Sequence, residues 1–501
     1  MSLKTISRNY IKLLLLLIIT SCSNDIDTNT DPVEITVSTS NFTASIDENP
    51  NPGQVIGLVT GSTNQGEVVF SITEQSPLGA LSIDSVTGEL SVAEVTSFDF
   101  ETNPTITGIV KVANGAVFEN ASINISLNDV FEENICEGDV YLATQEEVNT
   151  FGAMNCTVIT GKLIIGVSGA DVDIIDLTPL SSLESVGSLV VINTQQLTTL
   201  DGLHNLSSSV YILGLTHNSS LESIDALSGL TSFDVLSFAE NNVLQTLQGL
   251  HNIEGEVGTI DFGFNDAILN LDAFQNITEV TGTFSLTGNA ALTNINGLSN
   301  LTSIGGEFDI NNNDALLNLD GLSSLTEIGL NNSVGISIDG NDLLQNINGL
   351  NNLTSIGGAI GISNNRSLNN LSGLSQITSL RGLGISFNPS LTSLNGLENL
   401  HSIENLLSIR FNESLNNLIG LNNLNDIFEL RISHNNSLNS LDGLENLLSL
   451  TIFLVWENPI LSNFCGLENL FINGDGPNGF RVFDNAYNPT SSDIINGNCS
   501  L

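Results

Sequence analysis

Bases are scarce in this sequence. Across 501 residues there are 10 lysines and arginines against 55 aspartates and glutamates, a formal charge of −45. Three of the ten, Lys4, Arg8 and Lys12, fall within the first dozen residues. A surface this acidic repels phosphate backbones and anionic lipid, which excludes nucleic acid as a partner and favours divalent cations. Aromatics are also thin, at 5% of the chain with one Trp and four Tyr. Glycan capture asks for exposed rings near a groove, and this supply counts against it. Catalytic signatures are missing as well: there is no Gly-x-Ser-x-Gly elbow, P-loop or dinucleotide fingerprint. No Cys/His cluster has zinc spacing, and nothing singles out a glycosidase pair among the 55 acids. The sequence reads as a non-enzyme.

Long apolar runs are absent too. Leu13–Ile19 is too short to span a bilayer, and no later run reaches spanning length. With basic residues before it, that run reads as an export signal. It ends in Ile19-Thr20-Ser21-Cys22, which resembles a bacterial lipobox, and the resemblance implies lipidation of Cys22 after cleavage. The next residues, Ser23-Asn24-Asp25-Ile26-Asp27, resemble the acidic segment that sends lipoproteins to the cell surface in Bacteroidetes-like bacteria. The implied location is the outer membrane, exposed at the surface, with the lipid as anchor.

What the chain does have is leucine and isoleucine, which lift its mean hydropathy to +0.19 and argue against disorder. Its length predicts two or more units. Four cysteines remain beyond Cys22, an even number in an exported chain. Because they flank a long repetitive region in two pairs, Cys136 is expected to bond Cys156, and Cys465 to bond Cys499.

Residues 33–131 show short alternating strands with turn punctuation, such as Val68–Ile72, Ile106–Val112 and Ala121–Leu127, as in a β-sandwich. Ile46-Asp47-Glu48-Asn49-Pro50, Leu81 to Gly88, Phe98-Asp99-Phe100-Glu101 and Asn128-Asp129-Val130-Phe131-Glu132 together resemble a cadherin repeat. That resemblance implies a calcium site at one pole, carried over to Glu48, Asp99, Glu101, Asp129 and Glu132; oxygen-only carboxylate clusters suit this hard cation. One departure is plain. Where cadherins place an acidic Asp-x-Asp element, this chain has Val112-Ala113-Asn114-Gly115.

From Thr157 onward one pattern recurs: apolar-x-apolar-x-x-Asn-x-x-Leu-x-x-Leu-x-Gly-Leu-x-x-Leu. Its Asn column runs from Asn218 through Asn241, Asn265, Asn289, Asn313, Asn341, Asn365, Asn388, Asn412 and Asn435 to Asn458, with spacings of 23 or 24 and one of 28. The long spacing predicts a bulging loop near Leu330–Ser333. Ser168 and Thr194 take the column position in two earlier coils, which brings the count to about 13. A fixed period of this length is a solenoid, in which stacked units share one core. The column Asn is expected to form a buried hydrogen-bonded ladder. The heptapeptide Asn-Leu-Thr-Ser-Ile-Gly-Gly occurs twice, at 300–306 and 352–358, and reads as a corner of the coil whose glycines permit a tight bend. The pattern resembles the leucine-rich-repeat superfamily, most closely the receptor L domains, over residues 157–464. It implies a stack with a parallel sheet, roughly 60 Å long at ~4.8 Å per coil.

The expected fold is therefore mainly β: residues 1–21 a signal, 22–32 a linker, 33–131 the sandwich, 132–156 an N-terminal cap, 157–464 the solenoid and 465–501 a C-terminal cap. Thr144-Gln145-Glu146-Glu147 should open a short helix in the first cap. Outward positions lie four and two residues before each column Asn. Most are small or polar, as in Ser237, Asp261, Ser285 and Asp309, but Arg410, Arg431 and Trp456 appear late, with His434 alongside. Arginines this rare, on one face and beside the only Trp, are candidates for gripping a sugar or carboxylate, although relief of local acidic repulsion is the simpler account of them. The functional expectation is surface adhesion or recognition, binding a protein, cell or glycan partner through the solenoid, with calcium in the sandwich. The alternatives are polysaccharide capture for an outer-membrane uptake system and a structural surface-layer role.

Overall fold

The computed structural model describes residues 33–130, 133–170, 172–329 and 335–501. The signal and lipidation of Cys22, the calcium role of Glu132 and the loop at Leu330–Ser333 lie outside these residues. The chain divides into two compact units, Met1–Glu132 and Glu133–Leu501.

In the first unit, period-2 alternation decides which side chains enter the core. Along the strand Val117–Asn128, Ala121, Ile123, Ile125 and Leu127 are buried and their neighbours face out. This strand pairs antiparallel with Thr105–Asn114, which in turn pairs with Val69–Ser76. On its other edge it pairs parallel with Phe42–Asp47, completing a four-stranded sheet. A three-stranded sheet of Val55–Leu58, Glu89–Val92 and Leu81–Ile83 shares the same core, around Phe70, Leu90, Phe98 and Ile106.

The second unit is built on a parallel sheet of 17 strands whose order follows the chain, from Ile135–Cys136 to Gly479–Phe483. Each coil sends two apolar residues inward from its strand, such as Phe308 and Ile310 or Leu407 and Ile409, all fully buried. The chain then passes through one left-handed residue, runs inward again at the two leucines, and makes a single 3-10 turn such as Asn296–Leu298 or Asn348–Leu350. No coil could bury its own leucines, each worth ~1.5–3 kcal/mol once removed from water, and stacking does it for all of them.

The Asn ladder holds the turns together. Asn341 donates its backbone N–H to Asn365 Oδ1 (3.1 Å) and its side-chain amide to the Ile310 carbonyl one coil back (2.8 Å). Its own Oδ1 accepts the Asn313 backbone N–H (3.0 Å). The same linkage repeats along the column, so every buried amide is satisfied by its neighbours. Thr194 joins the ladder through Asn218 Oδ1 (2.7 Å). Ser168 does not; it is exposed in a turn bridged by Val167 and Ala170, because the strand before it ends at Gly166. At the far end the ladder continues to Asn485 and Asn488, and the strand Gly479–Phe483 extends the sheet into the region expected to be only a cap.

Around the twin heptapeptide the return segments form a second parallel sheet of five short strands, including Ser303–Ile304 and Ser355–Ile356. Asn300 and Asn352 donate side-chain amides to carbonyls of the preceding coil at 2.7 Å. Thr302, Thr326 and Thr354 link their hydroxyls to the carbonyl one coil before. Gly305 is required by proximity rather than by a bend, since a Cβ there would lie 2.2 Å from the Thr281 carbonyl oxygen.

Both expected disulfides are present, Cys136–Cys156 and Cys465–Cys499. The helix Gln145–Gly152 opens on a full capping box between Thr144 and Glu147, with Val148 buried against the first coils. Among the described residues no helix is long and apolar enough to cross a membrane.

Candidate functional site

In the sandwich, three of the expected acids converge. Glu48, Glu101 and Asp129 each place a carboxylate oxygen within 4.8 Å of the others. Glu48 is 4% exposed and anchored at both oxygens, accepting the backbone N–H of Phe100 and of Val130 at 2.7 Å each. Those two bonds fix the carboxylate while leaving lone pairs free on both oxygens. For Glu101 a bond from its own backbone N–H favours ionisation, but desolvation and the charges of Glu48, Asp129 and Asp99 outweigh it and hold its carboxyl above the usual range. Asp99 itself turns back into the chain, accepting the Thr102 N–H (2.9 Å) and hydroxyl (3.0 Å). It contributes charge rather than joining the triad. The non-acidic stretch Val112-Ala113-Asn114-Gly115 sits at the hairpin that starts the strand Val117–Asn128, a full strand away from Asp129. The three carboxylates fit a hard, oxygen-seeking cation.

On the solenoid, register sorts the late outward residues into two rows. Ser386, Arg410, Ser433, Trp456 and Phe483 lie side by side in one. Arg431 belongs to the other, beside Ser408 and Leu454. The two arginines are therefore offset and form no aligned pair. Arg431 Nε donates to Glu429 Oε1 at 2.7 Å, so much of its charge is spent locally. Arg410 Nε is covered and has no hydrogen-bond partner among the described residues, as does His434 Nδ1.

The feature missed in the sequence lies one residue before each ladder Asn, at the left-handed position. There Phe387, Phe411 and His434 occupy three successive coils with φ of 56–58°. Bulky residues avoid this conformation, but here the turn recurs along the stack and the ladder enforces it. Their side chains are thrown outward into a continuous stack, with centroids 4.4 Å apart for Phe387–Phe411 and 4.2 Å for Phe411–His434. His434 meets the edge of Trp456 at 6.5 Å and bonds the Glu457 carboxylate through Nε2; Trp456 stacks on Phe483 at 6.2 Å. Phe387 and Phe483, at the two ends, are 45% and 46% exposed. The signal in the sequence is the column just before the Asn, where Phe387-Asn388, Phe411-Asn412 and His434-Asn435 each place a ring.

A groove of about 440 Å³ runs past the Phe387 end of this stack, between the residues before and after the ladder, from Asn312 to Glu413. Arg366 and Asp342 form an ion pair at 3.2 Å beside it.

No model of a known protein family matches the chain, and no curated protein does. Solved structures match over about a fifth of it. The human desmocollin-1 ectodomain aligns at 21% identity over 21% of this chain and 23% of its own, with a TM-score of 0.17. Extracellular cadherin domains 1–5 of protocadherin gamma B2 align at 17% identity over 20% of each chain, at 0.18. Domains 3–6 of the same protocadherin give 15%, 22% of this chain and 31% of theirs, at 0.18. This chain thus spans under a third of the length of each of these three structures. At such scores the likeness decides neither fold nor function.

Proposed function

We propose that the chain is a surface-displayed recognition or adhesion protein, lipid-anchored through Cys22, that holds a partner on the outer face of its solenoid. The observation carrying this reading is the exposed stack from Phe387 to Phe483. Ordered rings set on a rigid parallel sheet lose little entropy on binding and supply the aromatic anchors that interfaces use. The architecture fits the resemblance to leucine-rich-repeat and receptor L domains. It also fits polysaccharide capture better than the aromatic count alone allowed, since phenylalanines fill the role that Trp and Tyr were too few to take.

Calcium is part of the proposal. Glu48, Glu101 and Asp129 would ligate the ion and Asp99 would add charge. Binding at a hundredfold excess over Kd stabilises the folded sandwich by about 2.7 kcal/mol, so its melting point should rise in calcium over EDTA and Glu101→Gln should erase the difference. An identical melt in both buffers would remove calcium from the account.

The direct test uses the soluble chain from Ser23, presented to arrays of glycans and surface proteins and to intact cells. Selective binding weakened by Trp456→Ala supports recognition through the solenoid. No binding to any of them would leave the structural surface-layer role as the better reading.

A further inference from the structure

The aromatic stack ends abruptly. Along the row just before the ladder, the residues run Asn312, Gly340, Asn364, then Phe387, Phe411 and His434. The Phe387–Phe411 rings are nearly coplanar in tilt, 7° apart at 4.4 Å, close to the ~4.8 Å spacing of neighbouring strands, so their normals run along the solenoid axis. One face of Phe387 is covered by Phe411. The other looks back over Asn364 and Gly340, where no ring follows. Phe264 behaves alike further up, lying over Gly288 in the next coil; a Cβ at Gly288 would come within 2.7 Å of its ring. Phe387 is 45% exposed, and its neighbour on the N-terminal side is the shorter Asn364, whose amide turns back to Asp339.

Two coils before Phe387 the row carries Gly340, whose side-chain place is filled by the Asn312 amide rather than by a ring. Its φ is +69°, and a Cβ there would lie 2.5 Å from Asn312 Oδ1. Around the groove stand Asp314, Asp342, Asn364 and Arg366: carboxylate acceptors, an amide and one planar guanidinium. Asn364 is held by a 2.7 Å bond to Asp339 Oδ1, and Arg366 by Asp342. A single apolar face, bordered by fixed groups that both accept and donate, matches a pyranose ring. Its C–H face lies against the negative face of the aromatic ring, and its hydroxyls reach the rim. The excess of carboxylates around the groove repels phosphate, sulfate and uronate groups. Lying across five coils, the groove is roughly 20 Å long and open, which suits a chain of sugars rather than one.

We infer that the groove from Asn312 to Glu413 binds a neutral oligosaccharide, with one pyranose ring stacked on the free face of Phe387 and its hydroxyls bonded to Asp342, Asn364 and Arg366. This rests on the recognition reading above, but it names a different end of the stack and a ligand class.

The test titrates the soluble chain with neutral gluco-, manno-, xylo- and galacto-oligosaccharides, an oligogalacturonate and a display library of peptides. A neutral oligosaccharide should bind in preference to the oligogalacturonate. Phe387→Ala should weaken it by about tenfold or more, Asp342→Asn several-fold, and Tyr211→Ala, an exposed ring outside the stack and the groove, little. Phe387 is half exposed and loses one stacked contact in the variant, so a cooperative melt lowered by only about 2–4 °C checks that it folds. Neutral-sugar binding that survives Phe387→Ala, tighter binding of the oligogalacturonate, capture of peptides alone, or no sugar binding at all would each overturn the inference. Of these, peptide capture or binding lost only in Trp456→Ala would leave recognition through the solenoid standing; silence toward every glycan, protein and cell would sink both.

Discussion

Coils that share one interior differ sharply outside. From Asp261 to Asp339 the outer face shows small and acidic side chains, Asp261, Ser285, Asp309, Ser337 and Asp339, with a single ring, Phe264, standing alone. From Phe387 to Phe483 it shows rings and three arginines, Arg410, Arg431 and Arg481. Inside, the two stretches are interchangeable, with the same apolar pair, the same buried Asn and the same leucines. The interior is constrained by its neighbours on either side, because each coil is the lid of the one before. The exterior answers to whatever the protein meets, so a change of character there, on an unchanged scaffold, marks where function is written.

The comparison breaks hardest from within. Asn341→Ala would orphan the Asn313 N–H, take the amide donor from the Ile310 carbonyl, and deprive Asn365 Oδ1 of one of its two donors. Each buried unsatisfied group costs ~1–3 kcal/mol, so a loss of about 3 kcal/mol or more is expected in urea denaturation. Hydrogen exchange should open in the coils on both sides. If the midpoint moves by no more than it does for an exposed substitution, the ladder is ornament and the interior is set by leucine packing alone.

An outward change should be far milder. Phe411 sits in the middle of the stack, between Phe387 and His434. Phe411→Ala removes two stacked contacts worth ~0.5–1.5 kcal/mol each beyond area, part of which the flanking rings recover by closing the gap. The expected loss of stability is about 1 kcal/mol, with ligand binding at Phe387 reduced because its support is gone. A fall as large as that of Asn341→Ala would erase the distinction between scaffold and face.

The asymmetry explains what could be read beforehand. The ladder was visible because stacking demands the same residue at every turn, so Asn218 to Asn458 announce themselves as a column. The disulfides were visible from their position at the two ends. The acid triad was legible for Glu48, Glu101 and Asp129, but nothing in Phe98-Asp99-Phe100-Glu101 reveals that Asp99 closes a turn on Thr102. Arg410 and Arg431 looked like a pair because they share a face; the register of Arg410 with Ser433, and of Arg431 with Ser408, separates them. The aromatic stack was hidden for a related reason. Phe387, Phe411 and His434 are 24 and 23 residues apart, each alone beside an Asn, and only the left-handed turn throws them outward together.

The smallest expected effect lies on the acidic side. Asp309 is half-buried in its row, and desolvation, with the charge of Glu307 added, raises its pKa to about 6 from an ordinary 3.8. Between those values the folded chain holds a proton that the unfolded chain has released. Stability therefore falls as pH rises through this window and is recovered on acidification toward pH 4. Asp309→Asn removes the penalty, so at pH 7 the variant should be slightly the more stable, by under ~1 kcal/mol once solvent screening at this partly exposed site is allowed for. Its advantage should vanish at pH 4. A wild type and variant that melt alike at both pH values would mean the acidic face bears its charge at no cost. Arg431, tied to Glu429 by a 2.7 Å bond, could then no longer be read as relief from crowded carboxylates on this sheet.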